Sequence, residues 1–217
     1  PFPWHDIYLG IVMIYDAGSK ADKVHCHLAW ARASEVTSLH AWSWVDQEKG
    51  VDGTPLIPLG EASSFDSHIC FAAATPVSHA GGERLYYMGG NGPHSGARNS
   101  SLGVATMRAD GYAALTAAGA GSVFTVPLLC TGATLLATVD VYLGWHGWPR
   151  DGTVQIGMAG SGSEPSLAAD KAVPLTRNGT DEPVRFEGGA DFAALVGTMV
   201  TLEIRLQHAS VYTVGFR

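Results

Sequence analysis

Residues 199–207 read MVTLEIRLQ, and they alternate without a break. Val200, Leu202, Ile204 and Leu206 point one way, and Thr201, Glu203, Arg205 and Gln207 point the other. A period of two is satisfied by an extended strand with one face in a core and the other in water. A helix would scatter the four aliphatics around its circumference. The runs TLLATVDVYLG, TVQIGMAG, PVRFEGG and VYTVGFR are also short and apolar, with Gly, Pro, Asp and Asn between them. Several such strands with turns between them predict a β-sandwich. The one helical signal is DFAALVG, with Asp191 as its N-cap and Gly197 as its stop.

The first half of the chain carries strand signals of a different texture. IYLGIVMIYD is a continuous apolar run suited to a strand buried on both faces. KVHCHLAWA, HAWSWV, SHICFAAATPVS, ERLYYMGG and SLGVATMRADGY follow. The order strand, loop, strand in DIYLGIVMIYDAGSKADKVHCHLAWA returns about 76 residues later in ERLYYMGGNGPHSGARNSSLGVATM. Repetition of small antiparallel sheets predicts propeller blades, too few here to close a ring. The fold class is therefore all-β, a partial β-propeller followed by a β-sandwich. The small-residue stretch TAAGAGS at 116–122 marks a linker, dividing 1–118 from 119–217.

Composition narrows the partners. Of 217 residues, 46% are hydrophobic and 15% charged, the balance of a folded chain and not a disordered one. The net charge of −7, with cations scattered, leaves no basic stripe for nucleic acid. No apolar run reaches the roughly 18 residues of a membrane-spanning helix. Cys26, Cys70 and Cys130 are an odd set without a C-x-x-C spacing; they read as buried thiols on strands, with one disulfide, of unassigned pairing, as the alternative. Asn99 and Asn178 head N-x-[ST] sequons, which point to a secretory or extracytoplasmic route and to glycosylation. PFPWHDIYLG opens without Met, as a processed or truncated segment does.

An ordered series of motifs carries a resemblance. Tyr86-Tyr87 precede a turn of Asn91-Gly92-Pro93-His94, and Gly103-Val104-Ala105-Thr106-Met107-Arg108-Ala109-Asp110-Gly111-Tyr112 follow. Upstream stands SSFDSHIC, and the chain closes in LVGTMVTLEIRLQHASVYTVGFR. This series resembles the C-terminal part of the five-bladed β-propeller glycosidases of the invertase and arabinanase clan, with Phe65 where the clan has Trp. The resemblance implies a glycoside-hydrolase-like protein that acts on or binds carbohydrate. It also implies that the catalytic carboxylates sit on earlier blades, upstream of Pro1 or on a neighbouring subunit. This chain holds no convincing catalytic pair of its own, and no cofactor is implied. The alternative is a non-catalytic, propeller-like accessory subunit of a larger assembly.

Several side chains are candidates for sugar contact. Asp66 and His68 alternate onto one side at the start of an inner strand, where an Asp can bind a hydroxyl or tune an acid. The competing role for Asp66 is to cap its own turn. His94 either touches a glycan or belongs to ordinary Asn-Gly-Pro turn chemistry. Trp145 and Trp148 in GWHGWPRDG can stack on sugar rings or plug an interface. His25 and His27 share a strand face. Without a third ligand nearby they read as a polar face and not a metal site. Arg108 and Asp110 are assigned to a structural pair or turn.

Overall fold

The structure is a computed structural model that describes residues 1–17, 21–46, 52–141, 152–160 and 164–217. Strands make up 51% of the chain and helical residues 9%, so the all-β expectation holds. Helical residues of the described elements form only three-residue 3-10 turns. The chain divides into two compact units, Pro1–Ala109 and Asp110–Arg217. None of the sheets is closed.

The first unit is an eight-stranded sheet. Its strands are β1 (Phe2–Trp4), β2 (Ile7–Tyr15), β3 (Val24–Arg32), β4 (Ser43–Trp44), β5 (Ile69–Ala72), β6 (Val77–His79), β7 (Gly82–Gly90) and β8 (Ser100–Arg108). They fall into two antiparallel groups. In the first, β2 pairs with β1 and, over nine residues, with β3, which also takes β4. In the second, β7 pairs β8 along one side, while β5 and β6 take successive halves of its other side. The groups are joined by one parallel residue pair, Val24 with Ile69. The two long hairpins, β2–β3 and β7–β8, are the two halves of the internal echo.

The core of this unit gathers Cys26, Ile57, Cys70, Leu85 and Tyr87. Strand β2 departs from expectation. Only Leu9 and Gly10 are buried, and Met13 and Tyr15 are exposed. The apolar run is a good strand because its β-branched residues fit the pleat, but it lies next to the short edge strand β1 and its outer positions face solvent.

The second unit is built on β15 (Leu202–Phe216), fifteen residues long. On one side it pairs β9 (Leu115–Phe124). On the other it pairs β12 (Thr153–Met158) along its first part and β11 (Leu135–Val141) along its second. The handover occurs at His208, whose φ of 42° places a left-handed residue in mid-strand and bends it. LEIRLQ and VYTVGF, expected as two strands, are thus one. Outside β11 lies β13 (Gly179–Pro183), and β10 (Leu128–Leu129) pairs β14 (Met199–Val200) apart from the main sheet. The predicted alternation holds: Val200, Leu202, Ile204 and Leu206 are all buried, with Val139, Val154, Ile156 and Phe192 in the same core. Burial of one such aliphatic contributes about 1.5–3 kcal/mol, so this stripe is a principal source of the unit's stability.

Two boundaries move. TAAGAGS is not a linker but the middle of β9, hydrogen-bonded to β15, and the units part at Ala109/Asp110 instead of near residue 118. Small residues look like a flexible tether, yet a ladder of backbone hydrogen bonds needs no side chains. At DFAALVG, Asp191 accepts a hydrogen bond from the Ala193 amide at 2.9 Å and Gly197 has φ of 88°, as a stop requires, but the N-cap position itself is Phe192 and Asp191 stands one residue before it. Between them lies only one 3-10 turn, Ala193–Leu195, because a single turn is too short to propagate as an α-helix.

Strand β8 has no partner beyond β7 among the described residues, and Leu102 (77% exposed) and Val104 (50%) project from it beside Tyr86. An apolar edge of this kind invites pairing with another chain. Replacing both Leu102 and Val104 by Lys is expected to reduce concentration-dependent association in light scattering while leaving the unfolding free energy within about 0.5 kcal/mol of the parent. A large drop in the midpoint would show that these side chains pack in the fold.

Candidate functional site

Asp22, two residues before β3, meets the loop 91–99 of the second hairpin. Asp22 has φ of 51°, an uncommon backbone that Asp tolerates, and this turns its carboxylate and carbonyl toward the second loop. Its carbonyl accepts from the His94 amide at 2.8 Å. Its carboxylate accepts from the Ser95 amide at 2.9 Å and from the Ser95 hydroxyl. The hydroxyls of Ser95 and Tyr15 and the Ser95 amide hold the Asp22 carboxyl down at about 2, and the same carboxylate pushes the Tyr15 phenol up. The His94 ring lies against Tyr15 at 4.6 Å and near Phe71 at 6.1 Å between centroids. Arg98 donates back to the carbonyls of His94 (2.6 Å) and Pro93 (3.3 Å), and Asn91 accepts from the Asn99 amide (2.9 Å). The Asn-Gly-Pro-His loop is therefore a tied conformational device with one ring set against an aromatic neighbour.

Asp66 occupies a different environment. It is 9% exposed, and both carboxylate oxygens are engaged: Ser64 donates to one at 2.6 Å and Tyr87 to the other at 2.7 Å. Burial opposes its ionisation, but the two hydroxyls outweigh it and its pKa ends below the usual carboxylate range. Burial and the same bond push the Tyr87 phenol well up. Phe65 stacks on Tyr87 at 6.0 Å. The glycines of the motif make room for this stack. A Cβ on Gly103 would sit 2.5 Å from the Tyr87 ring, and one on Gly89 would sit 2.6 Å from both Phe65 and Asp66. Asp66 is thus a structural acceptor inside the unit, and the turn-capping role weighed for it from sequence is nearer the observed one. His68, half-buried, shares a hydrogen bond with the Ser67 hydroxyl through Nδ1.

The segment 66–68 and the loop 91–99 nonetheless converge on one place. Val24 donates its amide to the His68 carbonyl, and His94 donates its own to the Asp22 carbonyl, two residues away. His68 and His94 therefore come to the same end of the sheet. Trp145 and Trp148 lie outside the described residues. Asn99 and Asn178 are both exposed, and the Asn178 side-chain carbonyl accepts from the Val141 amide at 2.8 Å. Asp110 takes φ of 61°, the turn geometry expected of it, with a long contact of 3.5 Å from the Thr213 hydroxyl.

Next to the loop junction lies a concavity of about 640 Å³, lined by Tyr15, Asp16, His25, His27, Asp52 and Pro55 among others. The two histidine rings stand 6.2 Å apart, and Trp44 lies edge-on to His27 at 6.2 Å. Desolvation lowers the pKa of both, with Lys23 adding to it at His25 and His25 adding to it at His27, while Asp16 and Asp52 oppose the shift. No group of three or more metal-ligating side chains occurs among the described residues. What the hollow offers is an aromatic wall, two imidazoles and two carboxylates, a mixture of donors, acceptors and one apolar face. The sequence reading missed Tyr15, Asp16, Asp22, Asp52 and Ser95. The signal that pointed to the junction was the 76-residue echo, which aligns the 16–23 loop with the 91–99 loop.

Two outcomes follow from these contacts. Tyr87→Phe leaves the buried Asp66 carboxylate without one of its two side-chain donors and is expected to cost about 1.5–3 kcal/mol in denaturant unfolding. A loss below about 0.5 kcal/mol would mean the bond is idle. For the histidines, the unfolded chain binds protons below about pH 6.5 while the folded hollow resists them. Their contribution is thus complete above pH 6.5 and is lost as pH falls below it. The thermal midpoint should be level from pH 8 to 7 and decline between 6.5 and 5, and His27→Gln should flatten that decline. A wild-type midpoint level down to pH 5 would contradict the burial of these rings.

No known protein family, curated protein or solved structure matches the chain.

Proposed function

We propose that this chain is a carbohydrate-binding protein of glycoside-hydrolase-like type. In this reading the first unit represents blades of a propeller and the second a β-sandwich. The observation that carries the reading is the hollow beside Tyr15. A sugar presents an apolar ring face and a rim of hydroxyls. Tyr15, 44% exposed, supplies a stacking surface, and His25, His27, Asp16 and Asp52 supply hydroxyl partners. The residues singled out from sequence take a supporting part: His94 backs Tyr15, and Asp66 holds the Phe65–Tyr87 stack. The motif series from Tyr86 to Tyr112 supports the same family reading, as do the exposed sequon asparagines, which fit an extracytoplasmic protein. Binding is the activity proposed, because the family resemblance puts the catalytic carboxylates on earlier blades.

A second reading, the accessory subunit, is favoured by the exposed Leu102 and Val104 on the edge of β8. A glycan array followed by calorimetric titration of the best-bound oligosaccharide separates the two. The carbohydrate reading expects Tyr15→Ala to weaken binding by about 0.5–1.5 kcal/mol, with the fold intact by circular dichroism. Absence of binding across the array, or an unchanged affinity in the variant, would overturn it.

A further inference from the structure

Cys26 on β3 and Cys70 on β5 are 44 positions apart in sequence, yet their sulfurs lie 2.7 Å from each other. Both side chains are fully enclosed, 0% and 1% exposed, between Ile57, Leu85 and Tyr87. Carbon atoms in contact prefer about 3.5–4.0 Å, and sulfur is the larger atom, so two separate thiols would not rest this close. The Cys26 sulfur also lies 3.0 Å from the Cys70 carbonyl, so the two residues face each other closely. The location adds a second argument. Among the described residues the strands of the two groups share one ladder pair, Val24 with Ile69, and the two cysteines stand on the same two strands directly beside it. Cys130 belongs to the other unit, where its thiol lies near the carbonyls of Gly132 and Phe192.

We propose that Cys26 and Cys70 form a disulfide that staples β3 to β5, and that Cys130 remains a free thiol. The bond forms by exchange with a small-molecule disulfide during folding, before the core closes over the sulfurs. One cysteine thiolate attacks that disulfide and releases one small thiol. The second cysteine thiolate then attacks the mixed disulfide and releases the other small thiol. The protein loses two electrons and two protons, and one small disulfide is reduced to two thiols. Because both sulfurs are shut off from solvent in the folded state, the bond is a structural staple and not an exposed switch.

The test uses the full chain refolded in a mixture of oxidised and reduced glutathione. Unfolding in guanidinium with iodoacetamide and no reductant should label one cysteine, mapped to Cys130 by peptide mass. Prior reduction should let all three be labelled. Three labels without reduction, or a bridge that includes Cys130, would overturn the proposal. Reductant should lower the thermal midpoint of the parent and of Cys130→Ser by more than about 10 °C. The double variant Cys26→Ser/Cys70→Ser should melt near the reduced parent and ignore reductant. A parent transition indifferent to reductant would equally overturn it.

Discussion

Asp22 is the point on which the first unit depends. The antiparallel groups β1–β4 and β5–β8 are each held by long ladders, but among the described residues their strands share one ladder pair. So short a ladder is supplemented by the shared core of Cys26, Cys70, Leu85 and Tyr87 and by the contact at its end. Asp22 turns through a left-handed backbone, takes the His94 amide on its carbonyl and both Ser95 donors on its carboxylate. Charge-assisted bonds of this sort are stronger than neutral ones, and two donors on one carboxylate oxygen restrict its rotation. The consequence propagates. With the loops locked, His94 is set against Tyr15, and Tyr15 forms a wall of the hollow that also holds His25 and His27.

The second unit solves a different problem. One strand, β15, must serve three neighbours: β9 along one side, and β12 and then β11 along the other. A straight ribbon of fifteen residues would carry its two halves past one another. The left-handed residue at His208 bends it at the handover, and the buried stripe Leu202, Ile204 and Leu206 gives way beyond the bend to Ala209 and Val211. The buried face thus stays continuous across a bulge that would otherwise reverse it.

The polar groups of the first unit divide by their degree of engagement. Asp66 is buried and spent on Ser64 and Tyr87, so its chemistry is directed inward. Asp16, Asp52 and the imidazoles face a cavity. Burial disfavours the charged form of those imidazoles, and a neutral imidazole donates from one nitrogen and accepts at the other, which suits hydroxyl recognition better than charge pairing.

What the sequence determined by itself was everything that rests on local period and local turn chemistry. The alternation at Val200–Leu206 specified both a strand and its buried face, since a period of two admits one solution. Asp191 and Gly197 marked a turn, and the echo between residues 6–31 and 83–107 marked two like hairpins. Partner choice was not legible. That TAAGAGS is a strand and not a tether, that Asp66 turns inward to Tyr87, that Asp22 clasps Ser95 and that Cys26 meets Cys70 are all decided by residues distant in sequence. No local signal reports them, because a backbone ladder, a buried hydrogen bond and a sulfur contact each depend on where another segment comes to rest. The tertiary structure alone brings those segments together.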